Sequence, residues 1–138
     1  MSGIAGIWNR DGAPISPALL ASLNRTLAHR GPDGAHQWSE DDIGLACQLS
    51  RVTPESVAEI QPAVHPLGLA LVFDGRLDNR EEILAQLREE PNLSIRSSDP
   101  DLILALYQHC GERFAEHLTG YFALALYDLN RRTLLLVR

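Results

Sequence analysis

The residues of this chain best suited to chemistry stand at its start, Met1-Ser2-Gly3-Ile4-Ala5-Gly6-Ile7. Removal of Met1 leaves Ser2 with a hydroxyl nucleophile and a free α-amine on one residue. An unperturbed α-amine titrates at about 7.7–8.0, so near neutral pH it can act as base toward its own side chain. Gly3 and Gly6 carry no Cβ, which lets other backbone and substrate approach closely. Ile4 and Ile7 give the stretch the β-branched character of a buried strand. A reactive N-terminus at the mouth of a buried strand is one way to build a hydrolase. The same residues also read as an ordinary Met-Ser start, so the rest of the chain must decide.

Few other residues compete. All twelve basic residues are arginine, which excludes lysine-based mechanisms. Cys47 and Cys110 lack metal-ligand spacing and read as two buried free thiols of a reducing compartment. His36, His65, His109 and His117 show no carboxylate or cysteine pattern that implies a metal, and none is expected here. The net charge of −6, with no basic stripe, argues against a nucleic-acid partner. No apolar run approaches the ~20 residues of a membrane helix, and no signal peptide is visible, so the expected location is cytoplasmic.

The elements that must position these residues follow from periodicity and punctuation. Residues 4–8 read as a strand. Ser16 caps a helix with Pro17 at its first position and Leu19, Leu20, Leu23 and Leu27 on its apolar face, ended by Gly31-Pro32. Residues 35–39 and 43–50 form a hairpin, and 53–66 a long polar loop. Residues 69–73 form a strand that ends at Asp74-Gly75-Arg76. Asp78 and Glu81 make a capping-box-like start for a helix to about Glu90. Asp99-Pro100 opens another helix, with Asp99 as a standard N-cap. A short helix over 112–118 and a hairpin of 121–127 with 133–137 complete the chain. Hairpins alternating with helices, without a βαβ repeat, predict antiparallel or mixed sheets covered by helices. At 138 residues this is one domain. It stops inside an apparent hairpin strand, so it is expected to be incomplete at its C-terminus, with an open sheet edge that invites homo-oligomers.

Five stretches in order carry a resemblance: residues 2–8, His29-Arg30-Gly31-Pro32-Asp33-Gly34, residues 73–83, residues 98–107 and residues 118–128. Together they resemble the N-terminal glutamine amidotransferase (class II) domain of the glutamine-dependent asparagine synthetase family, over essentially the whole chain. The resemblance implies an α+β fold, a four-layer αββα sandwich of the N-terminal-nucleophile (Ntn) hydrolase type, truncated, with residues 1–138 as the amidotransferase-like domain. It implies glutamine or a related small amide as ligand. It also implies a synthetase domain, absent from this chain, as the recipient of ammonia. ATP and magnesium belong to that second domain, so no cofactor is expected here.

Carried over by position, the resemblance puts Ser2 where the family has its nucleophilic cysteine. Asp74 and Gly75 fall at the oxyanion hole, where the family has Asn-Gly. A carboxylate at Asp74 accepts hydrogen bonds but does not donate them when ionised, and repels a developing oxyanion. Gln48 stands where the family's arginine clamps the substrate carboxylate, and it brings no charge. Arg51 is expected to point to the opposite face from Gln48 and is no replacement. Arg76 reverses the charge of a glutamate that helps hold the substrate's amine. Asp99 is retained as an amine ligand, although capping alone would also explain it. Arg30 lies near the nucleophile, and Asn79 is expected at a helix start. Two functions follow: a degenerate domain whose glutaminase is weak or lost, or an active N-terminal-serine amidase or glutaminase after Met1 removal. The departures at 2, 48, 74 and 76 favour the first.

Overall fold

The computed structural model describes residues 2–138. The chain opens with β1 (Gly3–Trp8) and α1 (Pro17–Thr26), then the hairpin β2 (Gly34–Glu40) and β3 (Ile43–Leu49). After a 3₁₀ turn at Glu55–Ala58 come β4 (Ala63–His65) and β5 (Leu69–Leu77), then α2 (Arg80–Gln86) and α3 (Asp99–Cys110). A 3₁₀ segment at Gly111–His117 leads into β6 (Gly120–Asp128) and β7 (Thr133–Val137).

The strands form two antiparallel sheets, ordered β1-β3-β2 and β4-β5-β6-β7. Side chains alternate between the faces of a strand, and this alternation builds the layers. Leu45, Cys47 and Leu49 of β3 meet Ala70 and Val72 of β5 between the sheets. The other face of β5, with Leu71, Phe73 and Leu77, packs with Ile83 of α2 and with Leu102, Ile103 and Leu106 of α3. On the far side of the first sheet, Leu20 of α1 covers Ala46. The result is the expected αββα sandwich. Among the described residues, no helix is long and apolar enough to cross a membrane.

Several local expectations change. Ser16 does cap α1, accepting the Leu19 N–H at 3.3 Å. Yet Leu19 is 58% exposed and Leu20 fully buried, and the helix ends at Thr26, short of Gly31-Pro32. The loop over 53–66 contains the 3₁₀ turn and β4. The helix expected from Asp78 to Glu90 shrinks to α2, with Asn79 at its N-cap position. The Asn79 side chain spans the gap to the last strands instead, donating to the His117 carbonyl at 2.9 Å and accepting the Thr119 N–H at 3.0 Å. Cys47 is buried and free, whereas Cys110 is only half-buried.

The largest correction concerns Asp74-Gly75-Arg76, which is no turn. These residues continue β5, pairing with Ala123, Phe122 and Tyr121 of β6. Gly75 makes this possible. Its φ is +139°, and a Cβ there would stand 2.1 Å from the Tyr121 carbonyl oxygen. Only glycine fits such an approach, so β5 carries its polar end past Phe73 and up to Ser2's end of the molecule.

Candidate active site

A cleft of about 380 Å³ opens where β1 begins and β5 ends, within the usual range for small-molecule sites. Ser2, Ser50, Glu59, Gly75, Arg76 and Asp99 are among its walls, with Val52, Phe73 and Tyr121 as apolar surface.

Ser2 is buried, and its Oγ accepts the Ser50 N–H at 3.0 Å. Arg30 stands behind it. Its Nε donates to the Ser2 carbonyl at 3.0 Å, and its Nη2 pairs with Asp74 Oδ2 at 3.2 Å. The helix-to-strand turn supplies this position: Gly31 lies so close to Gln48 that a Cβ would come within 2.2 Å of the Gln48 carbonyl. Ser2, Arg30, Asp74 and Gly75 are thus brought together. Asp74 is buried, and its Oδ1 has no hydrogen-bond partner among the described residues.

Gln48 is not among the cleft's walls. It is buried on the α1 face of β3, where its Nε2 donates to the Asn24 carbonyl at 3.0 Å. Arg51 is equally committed. It donates to the carbonyls of Asp33 and Glu59 at 2.7 and 3.1 Å, while Asp33 Oδ2 accepts the Arg51 N–H at 2.7 Å. This arginine fastens the loop over 50–60 to the turn after α1.

Asp99 does line the cleft, but it does not cap α3. Ser98 is the N-cap, with Asp101 completing a capping box. The Asp99 carboxylate is left free to accept the Leu77 N–H at 2.9 Å and to pair with Arg80. Burial pushes its pKa above the ordinary aspartate value, outweighing the opposing pull of the Leu77 N–H and Arg80. Arg76 lies on the wall, half solvated, its Nε 3.0 Å from Asp78 Oδ1.

Glu59 and Gln61 are the residues sequence reasoning missed. Gln61 is fully buried and acts as a strand partner, accepting the Phe73 N–H at 2.6 Å and donating to the Phe73 carbonyl at 2.8 Å. It also donates to Glu59 Oε1 at 2.5 Å. Burial pushes the Glu59 pKa up, and the negative charges of Asp99 and Asp101 add to this against the pull of the Gln61 amide and the Arg51 guanidinium. Both lie in an aperiodic loop that offers no pattern; only the sequence separation from β5 is bridged in three dimensions. Cys47, behind the site, is inert as a nucleophile: burial, with Glu59 and Asp74 adding, pushes its thiol up to about 12.

Two stacked antiparallel sheets between helices, with Ser2 directly before the first strand at the cleft, give a sandwich of the Ntn-hydrolase fold type. The chain belongs to the family described as "Glutamine amidotransferase domain", whose profile matches residues 1–138. It is 34% identical to "Amidase chry2" of Gibberella zeae over 96% of this chain and 20% of that protein. It is 31% identical to the glutamine-hydrolysing asparagine synthetase of Triphysaria versicolor, over all of this chain and 23% of that protein. With asparagine synthetase B of Escherichia coli the identity is also 31%, over all of this chain and 25% of that protein. The chain therefore spans a quarter or less of these relatives. Among solved structures, the Bacillus subtilis glutamine phosphoribosylpyrophosphate amidotransferase superposes with a TM-score of 0.67 at 20% identity, over 93% of this chain and 35% of that one. At that identity the likeness concerns the fold alone.

Proposed function

We propose that this is a glutamine amidotransferase domain in which efficient glutamine hydrolysis has been lost, and that it supports an attached synthetase domain without supplying it with ammonia. The observation that carries this reading is Asp74. At the position expected to donate to a developing oxyanion stands a buried carboxylate, ion-paired with Arg30 and with Oδ1 lacking a donor among the described residues. Oxyanion-hole donors are each worth about 10²–10³ in rate, and an acceptor in that place works against the same charge. The commitment of Gln48 to Asn24 supports the reading, because it leaves no cationic clamp for a substrate carboxylate at that position. Ser2 supports it as well, since a serine hydroxyl depends wholly on its base.

A second reading is an N-terminal-serine amidase. It is favoured by the buried Ser2 at the cleft and by the relative named an amidase. The experiment is an ammonia assay with L-glutamine on protein whose intact mass shows Met1 removed. Ammonia release no faster than with a Ser2→Ala control is the expected result. Ser2-dependent release would establish the second reading and overturn the first.

A further inference from the structure

The acidic and basic side chains on the walls of the cleft are Glu55, Glu59, Arg76 and Asp99. Two of these already have partners: Arg76 is paired with Asp78, and Asp99 with Arg80. Glu55 and Glu59 are in no ion pair among the described residues. Glu59 is the more telling. It is 8% exposed and receives a single side-chain donor, Gln61. Gln61 is itself clamped to the backbone of Phe73 at both ends of its amide. The carboxylate of this cleft-lining residue is therefore tethered through Gln61 to Phe73 of β5. A buried carboxylate of this kind is stable as an anion only with a counter-charge. No ion pair among the described residues supplies one: Arg51, which donates to the carbonyls of Asp33 and Glu59, keeps its charge and offsets that of Glu59 only in part.

A ligand with its own carboxylate meets the opposite situation. It faces Glu55, Glu59 and Asp99, and the one wall cation is already neutralised by Asp78. We infer that the cleft takes a primary amine that bears a carboxamide but no carboxylate, its ammonium seated on Glu59 with help from Glu55. The inference rests on the reading of this cleft as the domain's ligand site, and it names the substrate class of that site. Val52, Phe73 and Tyr121 offer apolar surface for an aliphatic body between the two polar ends. Seating an ammonium on Glu59 favours its ionised form, so binding strengthens as pH rises through the raised range of that group.

The test is calorimetric titration of the Met1-processed protein with three probes that share the carboxamide and the three carbons next to it. These are 4-aminobutanamide (amine, no carboxylate), L-glutamine (both) and 4-carbamoylbutanoic acid (carboxylate, no amine). The amine is expected to bind about 10-fold or more tightly than glutamine, and the acid most weakly. Glu59→Gln is expected to weaken the amine about 10-fold while leaving the acid unchanged or tighter. Because Glu59 is buried, Glu55→Gln on the half-exposed 3₁₀ turn is a second arm, expected to weaken the amine by a smaller factor. Glutamine binding as tightly as the amine, or amine binding unmoved in both variants, would overturn the inference while leaving the ligand site in place. Binding of none of the three probes would overturn the inference and the ligand-site reading together.

Discussion

Two aspartate–arginine pairs flank the cleft, and they differ in how completely their carboxylates are satisfied. Asp99 and Arg80 are both largely enclosed, at 12% and 14% side-chain exposure. Both carboxylate oxygens are taken, by Arg80 and by the Leu77 N–H, and Arg80 also donates to the Ser97 carbonyl at 2.5 Å and the Ile95 carbonyl at 3.2 Å. The Asp74 side chain is as enclosed as that of Asp99, but Arg30 is 40% exposed and one Asp74 oxygen has no partner among the described residues. The first pair is a latch between β5, α2 and α3. The second carries an open acceptor beside the N-terminal residue. A carboxylate with both oxygens bound, such as Asp99 on the cleft wall, is explained by the fold, whereas the open oxygen of Asp74, set behind that wall next to Ser2 and Gly75, is not.

If that contrast holds, the largest effect comes from breaking the latch. Arg80→Ala leaves Asp99 buried without its cation and is expected to cost about 3–5 kcal/mol, a fall in melting temperature on the order of 10 °C by thermal denaturation. A smaller loss is expected from Gln61→Ala, which strands the N–H and carbonyl of Phe73, at about 2–4 kcal/mol by urea unfolding. Asp74→Asn should behave in the opposite way. It exchanges an ion pair with a half-exposed arginine for an amide that can donate, so the expected change in stability is within about 1 kcal/mol. A loss as large as that of Arg80→Ala would erase the distinction between the pairs.

The smallest effect is in pH dependence. Burial raises the folded-state pKa of Glu59, so the folded protein holds that proton more tightly than the unfolded chain. The contribution of Glu59 to stability is fully present below the ordinary glutamate range and is lost as pH rises through the raised folded value. Glu59→Gln removes this term. The variant is therefore expected to gain stability relative to the unmodified protein as pH rises through that window, read as the difference between urea midpoints. A difference independent of pH would place Glu59 in a solvated setting.

The sequence made most of the layers legible because apolar periodicity and turn chemistry agree there. The β2–β3 hairpin, the Ser16 cap and the β6–β7 hairpin each rest on short-range signals. It also brought Ser2, Arg30 and Gly75 to one site through motif order. Failures arose wherever a residue's role depends on a distant partner. Asp74-Gly75-Arg76 has the composition of a turn, but pairing with β6 overrides it, and Gly75 is there for the Tyr121 carbonyl. Asp99 has the look of a cap, but Ser98 takes that role and Leu77 claims the carboxylate. Gln48 matches a clamp by position, yet the strand alternation that buries Cys47 between the sheets turns Gln48 toward α1. Glu59 and Gln61 were invisible, since a loop without periodicity gives no sign that it lies along β5.

The most direct measurement is ammonia release from L-glutamine by the single variant Ser2→Cys, with removal of Met1 verified by intact mass. If Asp74 at the oxyanion position is what disables the chemistry, the stronger nucleophile alone yields no efficient hydrolysis. Adding Asp74→Asn then raises the rate at saturating glutamine by about 10²-fold or more. Efficient hydrolysis by Ser2→Cys alone would contradict the account, showing that the pocket works as it stands and that only the nucleophile had been exchanged.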